Sequence, residues 1–225
     1  MARRSQPEPN LPPGPFGPPN LLAGEELPEA PKQARSRRAR EALLDAALAL
    51  FAGRGFEATS VEEIATRARI AVGGFYSHFR SKRQVLLVLM DRLVGELAAL
   101  DLSIPAGAPP QAVIAGLVHV GLRVDWAYIG AYRAWHEVIL RDPALAELHR
   151  QIEAWSMSRL RTISQMLAGH PSARTDFDVE TFCWVTNQLF WRLTEAHVEN
   201  REAVERTVAH MLGHAIFADA ADSAG

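Results

Sequence analysis

Side chains that can contact the phosphates of a nucleic acid are concentrated in one segment of this sequence. Residues 32–83 contain eleven Lys or Arg and five acidic residues, whereas residues 84–225 contain 11 basic and 17 acidic residues. A cationic surface attracts a polyanion, whose counterions are released on binding. The charge pattern therefore predicts a part of the chain that contacts DNA or RNA, followed by a part with another task.

Motifs for other kinds of chemistry are scarce. The chain has neither a G-x-S-x-G nucleophile motif nor a Gly-rich phosphate loop. His210 and His214 have the spacing of two metal ligands on one helix, but no third ligand is indicated nearby. The single cysteine, Cys183, lies in an apolar stretch and is interpreted as a buried hydrophobic residue. We therefore expect no enzyme activity, no metal and no cofactor.

The apolar stretches of the sequence bear on where in the cell the protein is located. No uncharged apolar run approaches the ~20 residues that a membrane-spanning helix needs. Arg3 and Arg4 are followed by Pro, Asn and Gly instead of an apolar run, so the amino terminus does not resemble a signal peptide. We expect a cytoplasmic protein that makes no membrane contact.

Composition divides the chain into three parts. Residues 1–31 are Pro-rich and are predicted to be a disordered extension, because they contain few apolar side chains and many fixed φ angles. Residues 32–83 begin with the basic arm KQARSRRAR, which includes Arg38 and can follow a phosphate backbone or enter a minor groove. The alternative for this arm is a solvated start to the first helix. Residues 84–225 show helical patterns and no strand alternation, which predicts an all-α fold.

Local signals place a helix-turn-helix within the basic segment. Gly55 ends the first helix, and Ser60 with Glu63 forms a capping box that starts a second helix from Val61 to about Ala68. A turn of about three residues and a short helix over residues 72–79 follow. In this arrangement the second helix of the motif enters the major groove of DNA.

The stretch FAGRGFEATSVEEIATRARIAVGGFYSHFRSKRQVL resembles the DNA-binding domain of the TetR family of transcriptional regulators, over about residues 37–90. The features that coincide are the G-F-x-x-T-S lead-in, the V-x-x-I-A core, the Gly-x-x-Tyr-x-x-Phe recognition helix and the following S-K. The resemblance implies a homodimer with an N-terminal helix-turn-helix domain (32–83). It also implies a C-terminal helical bundle (84–225) for ligand binding and dimerisation.

Individual residues of this domain are expected to hold the DNA backbone. Thr59 and Ser60, at the start of the second helix, can hold a phosphate with hydroxyls and free amides. Tyr76 and His78 can donate to phosphates, and Lys82 can act as a point charge. Such contacts anchor a protein on DNA without selecting a sequence.

Base contacts are expected from the turn and the start of the recognition helix. Arg69 can reach a guanine, Val72 a thymine methyl group and Ser77 either base type, while Gly73 permits close approach of the backbone. Arg69 stands where the family commonly has Gly, so we expect left-handed strain there. Ala71, Val72 and Gly74 stand where polar side chains often begin the recognition helix. The operator is therefore expected to be read by apolar contacts and DNA shape more than is usual.

Aromatic and polar side chains mark a candidate effector pocket in the C-terminal part. The candidates are Trp126, Tyr132, Trp135 and His136 in the middle helices and Trp184, Gln188 and Trp191 on one face of the penultimate helix. Such a lining suits a small, largely apolar or aromatic ligand. The alternative is an aromatic core in which Gln188 is satisfied internally.

The resemblance implies that the last two helices form the dimer interface. We expect these helices over about residues 176–199 and 201–219, with Asn200 as the N-cap between them. The last helix carries an apolar stripe of Val204, Val208, Met211 and Ala215. The alternative is that this stripe is buried within its own subunit.

These features together predict a sequence-specific DNA-binding regulator, expected to be a repressor that a ligand releases from its operator. A nonspecific architectural DNA-binding protein and a DNA-targeted helical enzyme are the alternatives. Uniform binding to all DNA sequences would favour the architectural protein.

Overall fold

The computed structural model describes residues 17–29, 33–102, 107–195 and 198–218. The fold is all-α, as predicted, and the described residues add an isolated antiparallel bridge between Ala173 and Phe217. The helices are α1 (Ala34–Arg54), α2 (Val61–Arg67), α3 (Val72–Tyr76), α4 (Lys82–Ala98), α5 (Pro110–Ala127), α6 (Ile129–Ile139), α7 (Pro143–Ala168), α8 (Val179–Glu195) and α9 (Arg201–Ile216).

The chain divides into two compact units. The N-terminal unit comprises residues 18–98 and 124–152, and so contains α1 to α4, α6 and the adjoining ends of α5 and α7. Among the described residues, the C-terminal unit comprises residue 17 and those within 99–123 and 153–218, and contains α8, α9 and the rest of α5 and α7. The two units are defined by contacts between residues, and residues 124–152 therefore belong to the N-terminal unit. The predicted domains were defined by charge and by order along the chain.

Local end signals predicted several helix boundaries correctly. Gly55 adopts φ +82° after α1, and its amide donates to the Phe51 carbonyl oxygen at 2.9 Å. Ser60 and Glu63 form the full capping box at the start of α2. The Asn200 side chain accepts a hydrogen bond from the Ala203 amide at 2.9 Å, which caps α9.

A break between α5 and α6 was not predicted. α5 ends at Ala127 and α6 begins at Ile129, without a proline between them. Gly130 then lies so close to α1 that an added Cβ would be 2.0 Å from the Leu48 carbonyl oxygen. The break brings α6 onto the backbone of α1, and a side chain at Gly130 would prevent this approach.

Residues 17–29 differ from the predicted disordered extension. Residues 18–27, called the strap below, lie along α4, and Leu21 is fully buried. The Asp91 carboxylate accepts a hydrogen bond from the Leu21 backbone. One buried leucine and a few hydrogen bonds hold the strap, so no periodic pattern in the sequence revealed it. Residues 1–16, 30 and 31 lie outside the described residues, and disorder there remains a prediction.

Within the described residues, no single helix is both long and apolar enough to cross a membrane. α5 and α6 are long and apolar enough for a membrane span only when they are taken together, and they are bent by 69° relative to each other.

Candidate nucleic-acid interface

α2 and α3 are joined by a tight turn at Arg69. Arg69 adopts φ +58°, a left-handed conformation that is unfavourable for residues other than glycine, as expected at this position. Its amide donates to the Thr66 carbonyl oxygen at 3.0 Å, and the Ile70 amide donates to the Ala65 carbonyl oxygen at 2.9 Å. These two bonds close the end of α2 and set the direction in which α3 departs.

α3 and the three residues that follow it have one buried side and one exposed side. Phe75 and Phe79 are fully buried, whereas the side chains of Val72, Tyr76 and Ser77 are exposed. Tyr76 remains 51% exposed although its ring makes an edge contact with Phe75 at 5.4 Å between centroids. An amphipathic helix at the surface can place its outer side chains in a groove of DNA.

Two glycines of α3 have different surroundings. An added Cβ at Gly74 would lie 2.7 Å from Cγ2 of Ile70, so a small residue is needed where α3 packs on the turn. An added Cβ at Gly73 would have nothing within 4 Å. Gly73 therefore leaves open surface on the outer side, which fits its predicted role in close approach to DNA.

The predicted DNA-contacting residues differ in their access to solvent. Arg38, Arg69, Val72, Gly73, Tyr76 and Ser77 are exposed, Ser60, Gly74 and Lys82 are partly buried, and Thr59 and His78 are buried. The exposed residues are free to contact DNA as predicted, and the buried ones need a different interpretation.

Thr59 and His78 are buried in this fold, which argues against the phosphate contacts predicted for them. Thr59 is 1% exposed, and its hydroxyl donates to the Gly55 carbonyl oxygen at 2.7 Å. Burial lowers the pKa of His78, and the nearby Arg40 lowers it further. A side chain that is only 8% exposed offers little surface to a phosphate. The His78 carbonyl oxygen instead accepts from the Arg40 guanidinium, which also lies 4.5 Å from the centre of the Phe79 ring.

Lys82 fastens the turn between α1 and α2. Its ammonium lies 2.8 Å from the carbonyl oxygen of Phe56, 3.3 Å from that of Glu57 and 3.0 Å from that of Thr59. An ammonium has three protons, so these carbonyls use its full donor capacity. These contacts indicate a structural role for Lys82, and the phosphate contact expected from the sequence stays a prediction.

Glu137 of α6 holds the same turn from the other side. Its Oε2 accepts from the Phe56 amide at 2.9 Å and from the Glu57 amide at 3.1 Å. An added Cβ at Gly55 would lie 2.0 Å from the other carboxylate oxygen. Sequence reasoning missed Glu137, because no local pattern connects a carboxylate of α6 to amides about 80 residues earlier.

An open cleft of about 410 Å³ lies between the start of α2 and the junction of α3 with α4. Residues 57–62 line one side, and Tyr76, Arg80, Ser81 and Lys82 line the other. The cleft combines hydroxyls, an arginine and the amino-terminal end of α2, which are groups that bind phosphate. Arg80 was not singled out from the sequence.

The segment that carries this interface matches a known family. The family model for bacterial regulatory proteins of the tetR family matches residues 43–89, which include α2 and α3. TcmR of Streptomyces glaucescens, an HTH-type transcriptional regulator, is 32% identical over 152 residues, covering 66% of this chain and 66% of TcmR. The chain belongs to the TetR family.

Other TetR-family relatives agree with this assignment. KstR2 of Mycolicibacterium smegmatis, an HTH-type transcriptional repressor, is 46% identical over 72 residues, covering 30% of this chain and 34% of KstR2. The chain thus spans between about a third and two thirds of these two relatives. The structure of KstR2 of Mycobacterium tuberculosis aligns with a TM-score of 0.59 at 20% identity, covering 83% of this chain and 98% of that chain. GusR of Salmonella enterica aligns with a TM-score of 0.61 at 18% identity, covering 83% and 99%. Both structures share the fold.

The predicted effector residues of this TetR-family chain fall into both units. In the N-terminal unit, Trp126, Tyr132 and Trp135 are buried and His136 is half-buried. The Tyr132 hydroxyl donates to the Asp125 carboxylate at 2.7 Å. Burial raises the pKa of Asp125 to about 7, although the Tyr132 hydrogen bond opposes the rise. A buried carboxyl beside aromatic rings is a polar feature that sequence reasoning missed.

The three effector candidates of the C-terminal unit lie on α8. Gln188 and Trp191 are half-buried, but Trp184 is 57% exposed. The single chain therefore leaves Trp184 on the surface, and its place in a pocket lining stays a prediction.

The predicted dimer stripe of α9 is divided between interior and surface. Val208 is 4% exposed and belongs to the core of the C-terminal unit, which favours the alternative of burial within its own subunit at this position. Met211 is 56% exposed, Ala215 is exposed and Val204 is half-buried. The predicted stripe therefore does not lie on one face of α9, because Met211 and Ala215 are exposed whereas Val208 is buried.

Proposed function

We propose that this TetR-family regulator binds an operator as a homodimer, represses transcription by occupying the promoter, and is released by a small, largely apolar or aromatic ligand. The observation that carries the proposal is the two-sided α3, where Phe75 and Phe79 are buried while Val72, Tyr76 and Ser77 are exposed. This exposed side lies in the most basic segment of the chain, as a major-groove helix requires.

Base reading by this helix relies on few polar groups. Val72 offers methyl groups for thymine, and Ser77 and Arg69 supply the hydrogen-bonding side chains near it. The Ser77 hydroxyl lies 3.3 Å from the Gly73 carbonyl oxygen, to which it donates in the free protein. We infer that operator choice depends on thymine contacts and on DNA shape.

Support for a ligand response comes from the position of α6. This helix carries the buried Tyr132 and Trp135 and, half a turn further, the Glu137 carboxylate that holds the turn before α2. A ligand that contacts the aromatic side chains of α6 can shift Glu137, and a shift of Glu137 changes the support of the helix-turn-helix.

Support for the homodimer comes from large apolar side chains on the surface of the C-terminal unit. Trp184 and Val185 of α8 are 57% and 50% exposed, and Met211 of α9 is 56% exposed. α8 and α9 are consecutive helices. Large apolar side chains exposed on both of them mark a surface that a second subunit can cover.

The test is a selection of bound fragments from a library of genomic DNA, followed by affinity measurement on the enriched sequence and on a scrambled duplex. A regulator is expected to prefer the enriched sequence by a factor above ~10³. The selected fragment is then challenged with a panel of small apolar and aromatic compounds. Equal affinity for both duplexes would contradict the proposal in favour of an architectural protein.

A further inference from the structure

The strap carries two acidic side chains to the amino-terminal end of α4. Glu25 pairs with Arg83, and Oε2 of Glu26 lies 2.5 Å from Nη1 of Arg80. Both pairs lie within the N-terminal unit. The strap therefore places negative charge directly on the basic end of the helix-turn-helix.

A buried amide fixes this arrangement. Gln84 is 6% exposed, and its Nε2 donates to the Glu26 carbonyl oxygen at 3.2 Å. Its Oε1 accepts from the Arg80 amide at 2.9 Å. One side chain thus bonds the backbones of Glu26 and Arg80, while the buried Leu21 anchors the strap further along α4.

Of the two cationic side chains that line the cleft, Arg80 is better placed than Lys82 to contact a phosphate. The donors of Lys82 point at three carbonyl oxygens of the turn before α2. The Arg80 side chain is 60% exposed and lines the cleft. A guanidinium has five donors in a planar fork, which suits a phosphate better than an ammonium does.

We propose that the strap is an internal competitor for DNA, in which Glu26 occupies Arg80 in the free protein and a backbone phosphate displaces it on binding. This inference rests on the proposed function. A phosphate that reaches Arg80 comes close to the Glu26 carboxylate, and the like charges repel unless the carboxylate moves away.

The strength of this competition is set by the anchoring of the strap. An isolated ion pair between exposed side chains contributes little. Because Leu21 and Gln84 hold the strap in place, the carboxylate of Glu26 stays at Arg80 at a high local concentration. The competition acts on a backbone contact, so the strap lowers affinity for all DNA sequences alike and leaves base preference unchanged.

The test is a double-mutant cycle on the full-length protein with Glu26→Gln and Arg80→Gln. Affinity is measured by fluorescence anisotropy for a labelled duplex of scrambled sequence, over a range of salt concentrations. Glu26→Gln is expected to bind about two- to fivefold more tightly at low salt, with a smaller gain as salt rises. In the Arg80→Gln background the same change is expected to have no effect, because the cation for which Glu26 competes is absent.

Glu147→Gln is the matched control, since it removes one negative charge from α7, where Glu147 pairs with Arg150. A gain equal to that of Glu26→Gln would show a net-charge effect and would overturn the proposal. A gain that persists with Arg80→Gln, or weaker binding by Glu26→Gln, would overturn it as well. If the wild-type protein ignores duplex DNA at low salt, the proposed function itself fails, and this outcome is distinct from the others.

Discussion

The Lys82 ammonium contacts Phe56 twice, by a hydrogen bond of 2.8 Å to its carbonyl oxygen and by a position 4.5 Å from the centre of its ring. Lys82 thus holds Phe56, in the turn before α2, through both its backbone and its side chain. A lysine that a sequence motif assigns to DNA acts here on the protein itself.

Lys82→Met keeps the aliphatic stem and removes the charge. We expect the free energy of unfolding to fall by about 1–3 kcal/mol, because three carbonyl oxygens lose their donor. Affinity for all duplexes is expected to fall while the slope of log affinity against log salt stays unchanged. Urea unfolding and anisotropy titrations measure both. Unchanged stability together with a slope that is smaller by about 0.9 would instead identify Lys82 as a phosphate contact.

Glu137→Gln replaces the carboxylate that accepts two amides of the same turn. A neutral acceptor makes weaker bonds, so we expect a loss of about 1–2 kcal/mol in unfolding free energy and weaker DNA binding. Arg141→Gln is the control, because Arg141 lies four residues further along the chain and pairs with the exposed Glu57 side chain. Hydrogen exchange at the Phe56 and Glu57 amides should accelerate in Glu137→Gln alone. Equal exchange rates in the two variants would contradict the positioning role.

Asp125→Asn tests the buried carboxyl. The pKa of Asp125 is raised from 3.8 to about 7, so between these values the folded state retains a proton that the unfolded state has lost. The free energy of unfolding therefore decreases as pH rises through this window, by up to about 4 kcal/mol. The variant cannot ionise and should lose this decrease. Urea unfolding between about pH 4 and pH 8 measures it, with the exposed Asp45→Asn as the control. Parallel curves for wild type and Asp125→Asn would contradict the prediction.

Met211→Glu and Val208→Ala separate the two faces of α9. Met211 is exposed in the single chain, so a charge there is expected to shift the proposed dimer toward monomer with little change in the unfolding of the subunit. Val208 is buried, so its truncation is expected to lower the free energy of unfolding by about 1–3 kcal/mol and to leave a dimer at high concentration. Sedimentation velocity and urea unfolding distinguish these results, and a dimer that withstands Met211→Glu would place the interface elsewhere.

Features governed by neighbouring residues could be predicted from the sequence. Gly55, the capping box at Ser60 and the left-handed Arg69 each depend on interactions within a few positions of the chain. The periodic pattern of apolar residues likewise predicted the all-α class.

Features governed by distant residues could not be predicted. The environment of Thr59 depends on how the turn folds back on α1, and that of Lys82 depends on three carbonyl oxygens about 25 residues earlier. The break before α6 depends on the fit of Gly130 against α1. Side-chain identity indicated which groups can bind phosphate, but only the packing decided which of them are free to do so.

In the proposed homodimer, the surface position of Trp184 would make this side chain an optical reporter of association. Trp126, Trp135 and Trp155 are already shielded from water in the single chain and Trp191 is half-buried, so their emission has less room to change than that of Trp184 when subunits meet. The indole of α8 would pass from water into an apolar setting, and its emission would move to shorter wavelength. Dilution of the unlabelled protein in a fluorimeter would then follow assembly directly.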